Sequence, residues 1–342
     1  MPHVTEWPLF SIVEQVRSRF PPETAIMVAI GGWGDTNGFS QAAATRSSRK
    51  LFAQNIRKMV EETGADALAD HGNGEDYKQI PNSEKAWEVE AYPKLMAEIR
   101  HALGPNKLLS AAVPGLRRDM IAFTKKNLRD LDNSIDFLNI MTYDLMNRRD
   151  NVTQHHTGVQ MALDGLHAYL SNGLTPHKAN LGFAFYVKWF KTNMEDTRQC
   201  SSQNGIGCKT ALLEDPRTGV DLSQSGSFSW HDQVPSDVAD SFKRALLRGV
   251  YDEKGGGHYF WDEAEKIFWT WDNPDAIHRK FPRMVDEYSI GGVFAWGLGE
   301  DAPNFKHLQA LTASLRQSSE RSRFLNSAEK SPTSYPSWRE EL

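Results

Sequence analysis

Three short segments carry the residue types that could do chemistry in this chain, and each stands at the end of an apolar run. The chemistry-bearing residues at these ends are Gly32, Trp33, Tyr143, Asp144 and Trp296. An adjacent tyrosine and aspartate offer a hydroxyl donor and a carboxylate, and a tryptophan ring offers a flat face for stacking. Glycine lets the backbone approach a ligand closely. Together these residues predict a cleft with a polar wall and an aromatic floor.

The elements that must position these residues alternate between buried strands and amphipathic helices. Strands are predicted over residues 26–30, 108–113, 137–142, 181–187 and 292–296, with a short sixth strand at 65–70. Helices are predicted over residues 9–20, 49–63, 87–103, 159–170 and 274–288. Such alternation is typical of parallel βα units. Because the carboxyl ends of parallel strands meet at one edge, we expect the three segments to converge there.

Two stretches depart from this alternation. Residues 188–270 contain the aromatic runs HYFWD and KIFWTWD, which predict a β-hairpin within an α+β insertion. The same stretch holds Cys200 and Cys208, which either close a disulfide or remain free thiols. From residue 317 the sequence is polar and rich in Ser, so a disordered tail is predicted over residues 317–342.

Composition argues against several classes of protein. The 342 residues include 39 Lys and Arg against 44 Asp and Glu, a net charge of −5, which disfavours nucleic acid as the main partner. Mean hydropathy is −0.55, and no apolar run approaches the ~20 residues of a membrane span. Only 2 cysteines are present, which excludes a Cys-rich zinc site, and neither a metal nor a cofactor is predicted. His155 and His156 are expected to be incidental surface residues, and no particular oligomeric state is predicted.

The strand-end segments resemble those of family-18 glycoside hydrolases, the chitinase family, and above all those of fungal chitinases. They match the ends of the family's third, sixth and eighth strands, and the resemblance extends over residues 20–315. It implies an α/β fold, a (β/α)8 TIM-type barrel built from residues 1–187 and 271–316. Residues 188–270 would form the chitinase insertion domain. It also implies chitin or chito-oligosaccharides as partners and an extracellular location, although no signal peptide is recognisable after Met1.

The mechanism that this resemblance implies is substrate-assisted and needs no metal. A glutamate protonates the glycosidic oxygen while the N-acetyl oxygen of the substrate attacks the anomeric carbon. Tyr143 corresponds to the tyrosine that hydrogen-bonds the acetamide oxygen, and Asp144 would support catalysis beside it. The residues expected to bind substrate are Gly32, Trp33, Met141, Tyr186 and Trp296.

The catalytic segment of the fourth strand departs from the family pattern. The family has Asp-x-x-Asp-x-Asp-x-Glu followed by Tyr-Pro-Gly, whereas residues 64–77 have the shorter sequence GADALADHGNGEDY. Asp66 and Asp70 are remnants of the motif, and no glutamate stands at the position of the acid. The two strands that precede the Gly-Gly-Trp strand in the family are also not recognisable, so the barrel is predicted to be incomplete at its N-terminus.

Three hypotheses of function follow from these observations. The favoured one is a chitinase-family protein that binds or acts on β-1,4-N-acetylglucosamine oligosaccharides, with hydrolysis impaired because the general-acid glutamate is absent. The alternative is an active endochitinase represented by a truncated or mis-joined chain. A third, a scaffold that keeps the fold without the cleft, is disfavoured because Tyr143, Asp144 and Trp296 are retained.

Overall fold

Six parallel strands form the central sheet of the computed structural model, which describes residues 10–32, 38–71, 80–81, 83–193 and 205–329, with the backbone alone at 67–71 and 320–329. The strands are β1 Met27–Gly31, β2 Ala67–His71, β3 Leu108–Pro114, β4 Phe137–Met141, β5 Ala179–Ala184 and β11 Gly292–Trp296. They lie side by side in chain order, so β1 and β11 are the two edges of the sheet within the described part of the chain. All six predicted strands, including the short β2, are confirmed.

Helices connect these strands and bury their apolar faces against the sheet. They are α1 Val13–Arg17, α2 Phe39–Ala44, α3 Arg46–Thr63, α4 Glu88–Leu103, α5 Lys125–Asp132, α6 Val159–Ser171, α8 Pro274–Phe281 and α9 Lys306–Glu329. Their buried side chains, such as Met59, Leu95 and Leu166, form one core with Leu109 and Ile140 of the strands. β3 and β5, inside the sheet, are buried along most of their length and lack an alternation of apolar and polar residues, as expected of strands covered on both faces.

The predicted insertion folds as a second sheet with its own core. Its strands are β6 Tyr186–Lys191, β7 Ser225–Ser229, β8 Val250–Asp252, β9 Gly257–Asp262 and β10 Ile267–Trp271, and helix α7 Ala239–Arg248 packs on it. The sheet is antiparallel in the order β7-β6-β10-β9-β8. The hairpin predicted from the two aromatic runs is confirmed, since β9 and β10 pair with Asp262 opposite Ile267.

The strand predicted over residues 181–187 is two strands in the structure. β5 ends at Ala184 and β6 begins at Tyr186, and the chain passes from the parallel to the antiparallel sheet between them. Phe185, at the crossing, is fully buried and donates its amide to the carbonyl of Trp296 over 2.7 Å. The apolar run continues through this point, so hydrophobicity alone could not locate the break.

The C-terminal segment differs from the predicted disordered tail. Helix α9 continues to Glu329, so residues 317–329 are helical, and the rest of the tail lies outside the described residues. Good helix formers such as Arg316, Gln317 and Glu320 allow α9 to continue beyond its buried contacts at Leu311 and Ser314. The polar composition of this part of the chain is therefore compatible with a helix.

Cys208 is disulfide-bonded, and Cys200, the other cysteine of the chain, lies outside the described residues.

None of the helices in the described residues combines the length and the apolar character needed to cross a membrane.

Candidate functional site

Two of the three chemistry-bearing segments meet at the carboxyl edge of the parallel sheet. Tyr143 and Asp144 follow β4, and Trp296 is the last residue of β11. β5 lies between these strands and leads to Tyr186 at the start of β6. An apolar cluster lies at this edge, formed by Met141, Tyr143, Ala184, Tyr186 and Phe294. The predicted convergence of these residues is therefore present in the structure.

Tyr143 is held by aromatic contacts and by a glycine on the neighbouring strand. Its ring meets the rings of Tyr186 and Phe294 edge-on, with centroids 6.3 and 6.0 Å away. A β-carbon at Gly182 would lie 2.6 Å from Tyr143 Cε1 and 2.7 Å from Phe294 Cζ, so glycine is needed there. Burial, followed by the negative charges of Asp144 and Glu300, raises the pKa of Tyr143. The hydroxyl is therefore protonated and able to donate a hydrogen bond.

Asp144 has a left-handed backbone conformation, with φ of +52°, which aspartate tolerates better than most residues. Its Oδ1 accepts hydrogen bonds from the Tyr186 hydroxyl at 2.7 Å and from Lys188 Nζ at 2.9 Å. The surrounding protein alone would raise the pKa of Asp144, but the charge of Lys188 and the neighbouring His156 outweigh it and lower that pKa. Asp144 is thus an ionised carboxylate, with 51% of its side chain open to solvent.

Lys188 and His156 are site residues that the sequence analysis missed. Lys188 stands two positions after Tyr186 on β6, so the two side chains share a face of the strand, and this spacing could have identified it. The prediction that His155 and His156 are surface residues is wrong, since their exposed fractions are 5% and 0%. Nδ1 of His156 lies 3.8 Å from Asp144 Oδ1, and neither ring nitrogen has a hydrogen-bond partner among the described residues. Burial lowers the pKa of His156, so its ring is neutral.

Trp296 offers its ring at the open side of this site. It is 46% exposed although it ends a strand, and a non-proline cis peptide bond joins it to Gly297. Four residues later, Glu300 stands at the end of the short turn Leu298–Glu300. Burial, then the charges of Asp144 and Asp232, raise the pKa of Glu300. Glu300 was also missed, because glutamates near strand ends are common and nothing in the local sequence distinguishes this one.

The other predicted residues are Gly32, Trp33, Asp66 and Asp70. Gly32 directly follows β1, and Trp33 lies outside the described residues. Asp66 precedes β2 and therefore lies at the opposite, amino edge. There its Oδ2 accepts hydrogen bonds from Arg17 at 2.6 Å and from the amide of Ile26 at 2.7 Å. Asp66 is a structural residue that fixes the start of β2.

Asp70 is the second remnant of the motif, and the structure describes its backbone position in the sheet. It is the fourth residue of β2, and its backbone is in register with Ile30 and Ala111. The described residues contain no group of three or more His, Cys, Asp or Glu side chains that could hold a metal ion.

This arrangement is suited to a polar ligand with a flat face. Trp296 provides a stacking surface, Tyr143 a hydroxyl donor, Asp144 an ionised acceptor, and Glu300 a carboxyl with a raised pKa. Exposed aromatic rings beside fixed polar groups are the ordinary means of binding amphipathic molecules such as sugars. Fold and site together define an α/β protein with its candidate site at the carboxyl edge of its parallel sheet.

The chain belongs to glycosyl hydrolases family 18, whose sequence profile matches residues 4–301. It is 24% identical to Endochitinase 1 of Metarhizium robertsii over 293 residues, which cover 80% of this chain and 61% of that protein. The chain thus spans about three fifths of the length of this fungal relative.

Solved chitinases share its fold. A Group IV chitinase of Ostrinia furnacalis in complex with allosamidin has a TM-score of 0.70 at 19% identity, covering 90% of this chain and 83% of that one. A class V chitinase mutant of Cycas revoluta in complex with (GlcNAc)3 has a TM-score of 0.66 at 19% identity, covering 90% and 84%. The expected TIM-type architecture with an insertion is therefore supported at the level of the fold, and the described residues contain six of its parallel strands.

Proposed function

We propose that this protein binds β-1,4-linked N-acetylglucosamine oligosaccharides at the carboxyl edge of its parallel sheet. The observation that carries the proposal is the Tyr186–Asp144 hydrogen bond, packed against the ring of Tyr143, at the same edge as the exposed ring of Trp296. A sugar stacked on Trp296 would offer its acetamide oxygen to the Tyr143 hydroxyl. The structural likeness to a chitinase in complex with (GlcNAc)3 supports this ligand class.

Hydrolysis by the mechanism of the family is, on this proposal, impaired. That mechanism needs a glutamate at the end of the strand that corresponds to β2, and residues 64–74 contain none. Loss of general acid catalysis costs typically about 10²- to 10⁴-fold in rate. Binding does not depend on that group, because stacking and hydrogen bonding to the ground state do not require proton transfer.

Calorimetry with a chitin tetramer and hexamer tests the binding proposal. Trp296→Ala should weaken affinity by about 10- to 100-fold, since the side chain contributes roughly 1.5–3 kcal/mol of apolar burial. Phe20→Ala is the matched control, because Phe20 is 41% exposed and precedes β1, at the opposite edge of the sheet. No heat of binding by the intact chain, or equal losses in both variants, would contradict the proposal.

The alternative of an active endochitinase from a truncated or mis-joined chain is tested separately. Sequencing the transcript across codons 60–80 would reveal a longer segment with the family glutamate if that alternative holds. A transcript that encodes the present sequence would contradict it.

A further inference from the structure

Two backbone hydrogen bonds, one at the amide and one at the carbonyl, fix Glu300 at the mouth of the cleft. Its amide donates to the carbonyl of Gly297 at 3.0 Å, and its carbonyl accepts from the amide of Trp230 at 3.1 Å. Trp230 directly follows β7, so the insertion helps to fix the turn that carries Glu300. Such fixation on both sides is what a group that must meet a ligand in one geometry requires.

The side chain of Glu300 turns back toward the end of β11. A β-carbon built on Gly297 would lie 4.0 Å from both Cγ and Cδ of Glu300, so the carboxyl group folds over this glycine. Gly297 directly follows Trp296, so the carboxyl group of Glu300 lies at the end of β11, next to the residue on which a sugar would stack.

The charges around Glu300 favour its protonated form. It is half-buried, and no described cation pairs with it. The groups that face it are the carboxylates of Asp144 and Asp232 and the hydroxyls of Tyr143 and Tyr186. Lys188, the cation on this side of the cleft, is already bound to Asp144.

Two carboxyl groups of one cleft thus have environments that move their pKa values in opposite directions. The pKa of Asp144 is lowered and that of Glu300 is raised. In enzymes this divergence distinguishes the carboxylic acid that donates a proton from the carboxylate that stays ionised. Asp144 therefore suits the ionised role and Glu300 the donating one.

We propose that this chain retains a slow hydrolysis of the bound oligosaccharide in which Glu300 is the proton donor, in place of the glutamate that the β2 segment lacks. This inference rests on the proposed oligosaccharide binding. The O–H bond of the Glu300 carboxyl breaks and its proton goes to the glycosidic oxygen. The C1–O bond breaks, and its electron pair leaves with the alcohol. The acetamide oxygen of the same sugar then bonds to C1.

The second half of the reaction restores Glu300. Water adds to C1, the bond between C1 and the acetamide oxygen breaks, and the carboxylate of Glu300 takes the proton of that water. Both displacements occur at C1, so the product keeps the anomeric configuration of the substrate. The net reaction consumes one water for each glycosidic bond.

The decisive experiment compares two leaving groups with the intact chain and Glu300→Gln. With a chito-oligosaccharide, whose leaving group is an alcohol, the variant should lose about 10²- to 10⁴-fold in kcat/KM, because proton donation is then essential. With a dinitrophenyl glycoside of the same sugar the loss should be much smaller, since that leaving group departs without a proton. Glutamine has nearly the size of glutamate and still carries an oxygen next to Trp296, so the affinity measured by calorimetry should be unchanged. A defect in folding or binding would affect both substrates equally.

The pH profile gives a second readout, with Asp232→Asn as the matched control. Asp232 is exposed and adds its charge to the surroundings of Glu300, and asparagine can still accept the hydrogen bond that Asp232 Oδ2 takes from the amide of Ser229 at 2.9 Å. Removing that charge should lower the pKa of Glu300, so the alkaline limb of the rate profile should move to lower pH while turnover persists. The same limb should disappear in Glu300→Gln.

Three outcomes would overturn the inference. These are an intact chain that binds oligosaccharide without any turnover, a Glu300→Gln variant with undiminished turnover, and equal losses for both leaving groups. Each of them leaves the proposed binding standing. By contrast, no heat of binding for the intact chain would mean that the proposed function fails, and the inference with it.

Discussion

The hydroxyl of Tyr186 donates a hydrogen bond to Asp144 Oδ1 over 2.7 Å, although the two residues are 42 positions apart in the chain. This contact joins the loop after β4 to the first residue of β6. It therefore connects the parallel sheet to the insertion at the point where the candidate site lies. The same oxygen accepts from Lys188, so one carboxylate orients two side chains of β6.

Tyr186→Phe should therefore reduce both stability and affinity. The ring would still pack against Tyr143, but a hydrogen bond to a charged group, about 1.5–3 kcal/mol, would be lost. We expect the free energy of unfolding in urea to fall by that amount, and affinity for a chitin tetramer to fall because Asp144 is less firmly oriented. Tyr259→Phe is the control, since Tyr259 is also buried and lies in the insertion. Equal stability of the Tyr186→Phe variant and the parent would show that the hydroxyl contributes nothing.

Lys188→Met should make sugar binding dependent on pH. The positive charge of Lys188 is the largest of the effects that lower the pKa of Asp144, so its removal raises that pKa. Asp144 would then take up a proton at a higher pH than in the parent chain, and an affinity that uses the ionised carboxylate would fall as the pH falls. The affinity of the parent chain should fall only at lower pH. Calorimetry at several pH values between neutral and acid measures this difference.

Lys191→Met provides the control for that titration, because Lys191 ends the same strand three residues later. Its affinity should follow the pH profile of the parent. The explanation would be wrong if Lys188→Met and Lys191→Met gave superimposable profiles.

The positions of Tyr143, Asp144 and Trp296 could be predicted because they depend on local sequence. Each stands at or just after the end of a mainly apolar strand, and parallel strands bring their carboxyl ends to one edge. The short β2 was also predictable as an element, although its catalytic motif departs from the family pattern.

The roles of His156, Lys188 and Glu300 could not be predicted in the same way. His156 is buried by residues that are distant in sequence, among them Thr270, whose hydroxyl accepts its amide hydrogen bond. Glu300 acquires its environment from Asp232 of the insertion and Asp144 of the barrel. Such contacts depend on tertiary packing, which periodicity and composition do not encode. The break at Phe185 has the same origin.

A buried ion pair between Asp272, which directly follows β10, and Lys280 of helix α8 gives a prediction about stability. Lys280 and Asp272 are each 1% exposed, and Lys280 Nζ bonds both Asp272 Oδ1 and the carbonyl of Thr157. Lys280→Met would leave the charge of Asp272 buried without its partner, which costs about 3–5 kcal/mol. The variant should unfold at much lower urea concentration, and Lys280→Met with Asp272→Leu should recover most of the loss.

Arg279→Met is the control for this prediction. Arg279 is the neighbouring residue of α8, and its ion pairs with Glu253 and Asp275 are exposed. Exposed pairs contribute about 0–1 kcal/mol, so this variant should unfold close to the parent. Similar losses for Arg279→Met and Lys280→Met would show that burial of the pair is not what matters.

His258 should make the folded chain less stable in acid. Burial lowers the pKa of His258 to about 4. The negative charges of Asp272 and Asp275 oppose this shift, whereas Lys280 and His155 add to it. The unfolded chain, with an ordinary histidine pKa of about 6.5, binds the proton first as the pH falls. The neutral ring therefore contributes its full stabilisation when the pH is above the pKa of histidine in the unfolded chain. This contribution, up to about 3 kcal/mol, is lost as the pH falls from there toward the pKa of His258 in the folded chain.

The measurement is urea unfolding at neutral pH and at two acidic pH values for the parent and His258→Phe. Phenylalanine keeps an aromatic ring against Trp271, whose centroid lies 4.5 Å from that of His258, but it cannot be protonated. The variant should therefore lose less stability than the parent on acidification, because one proton-linked contribution is gone. His101→Phe is the control, since His101 is exposed near the end of α4 and should leave the acid sensitivity of the parent unchanged. If His258→Phe and the parent lose stability in parallel, proton uptake by His258 does not drive acid unfolding.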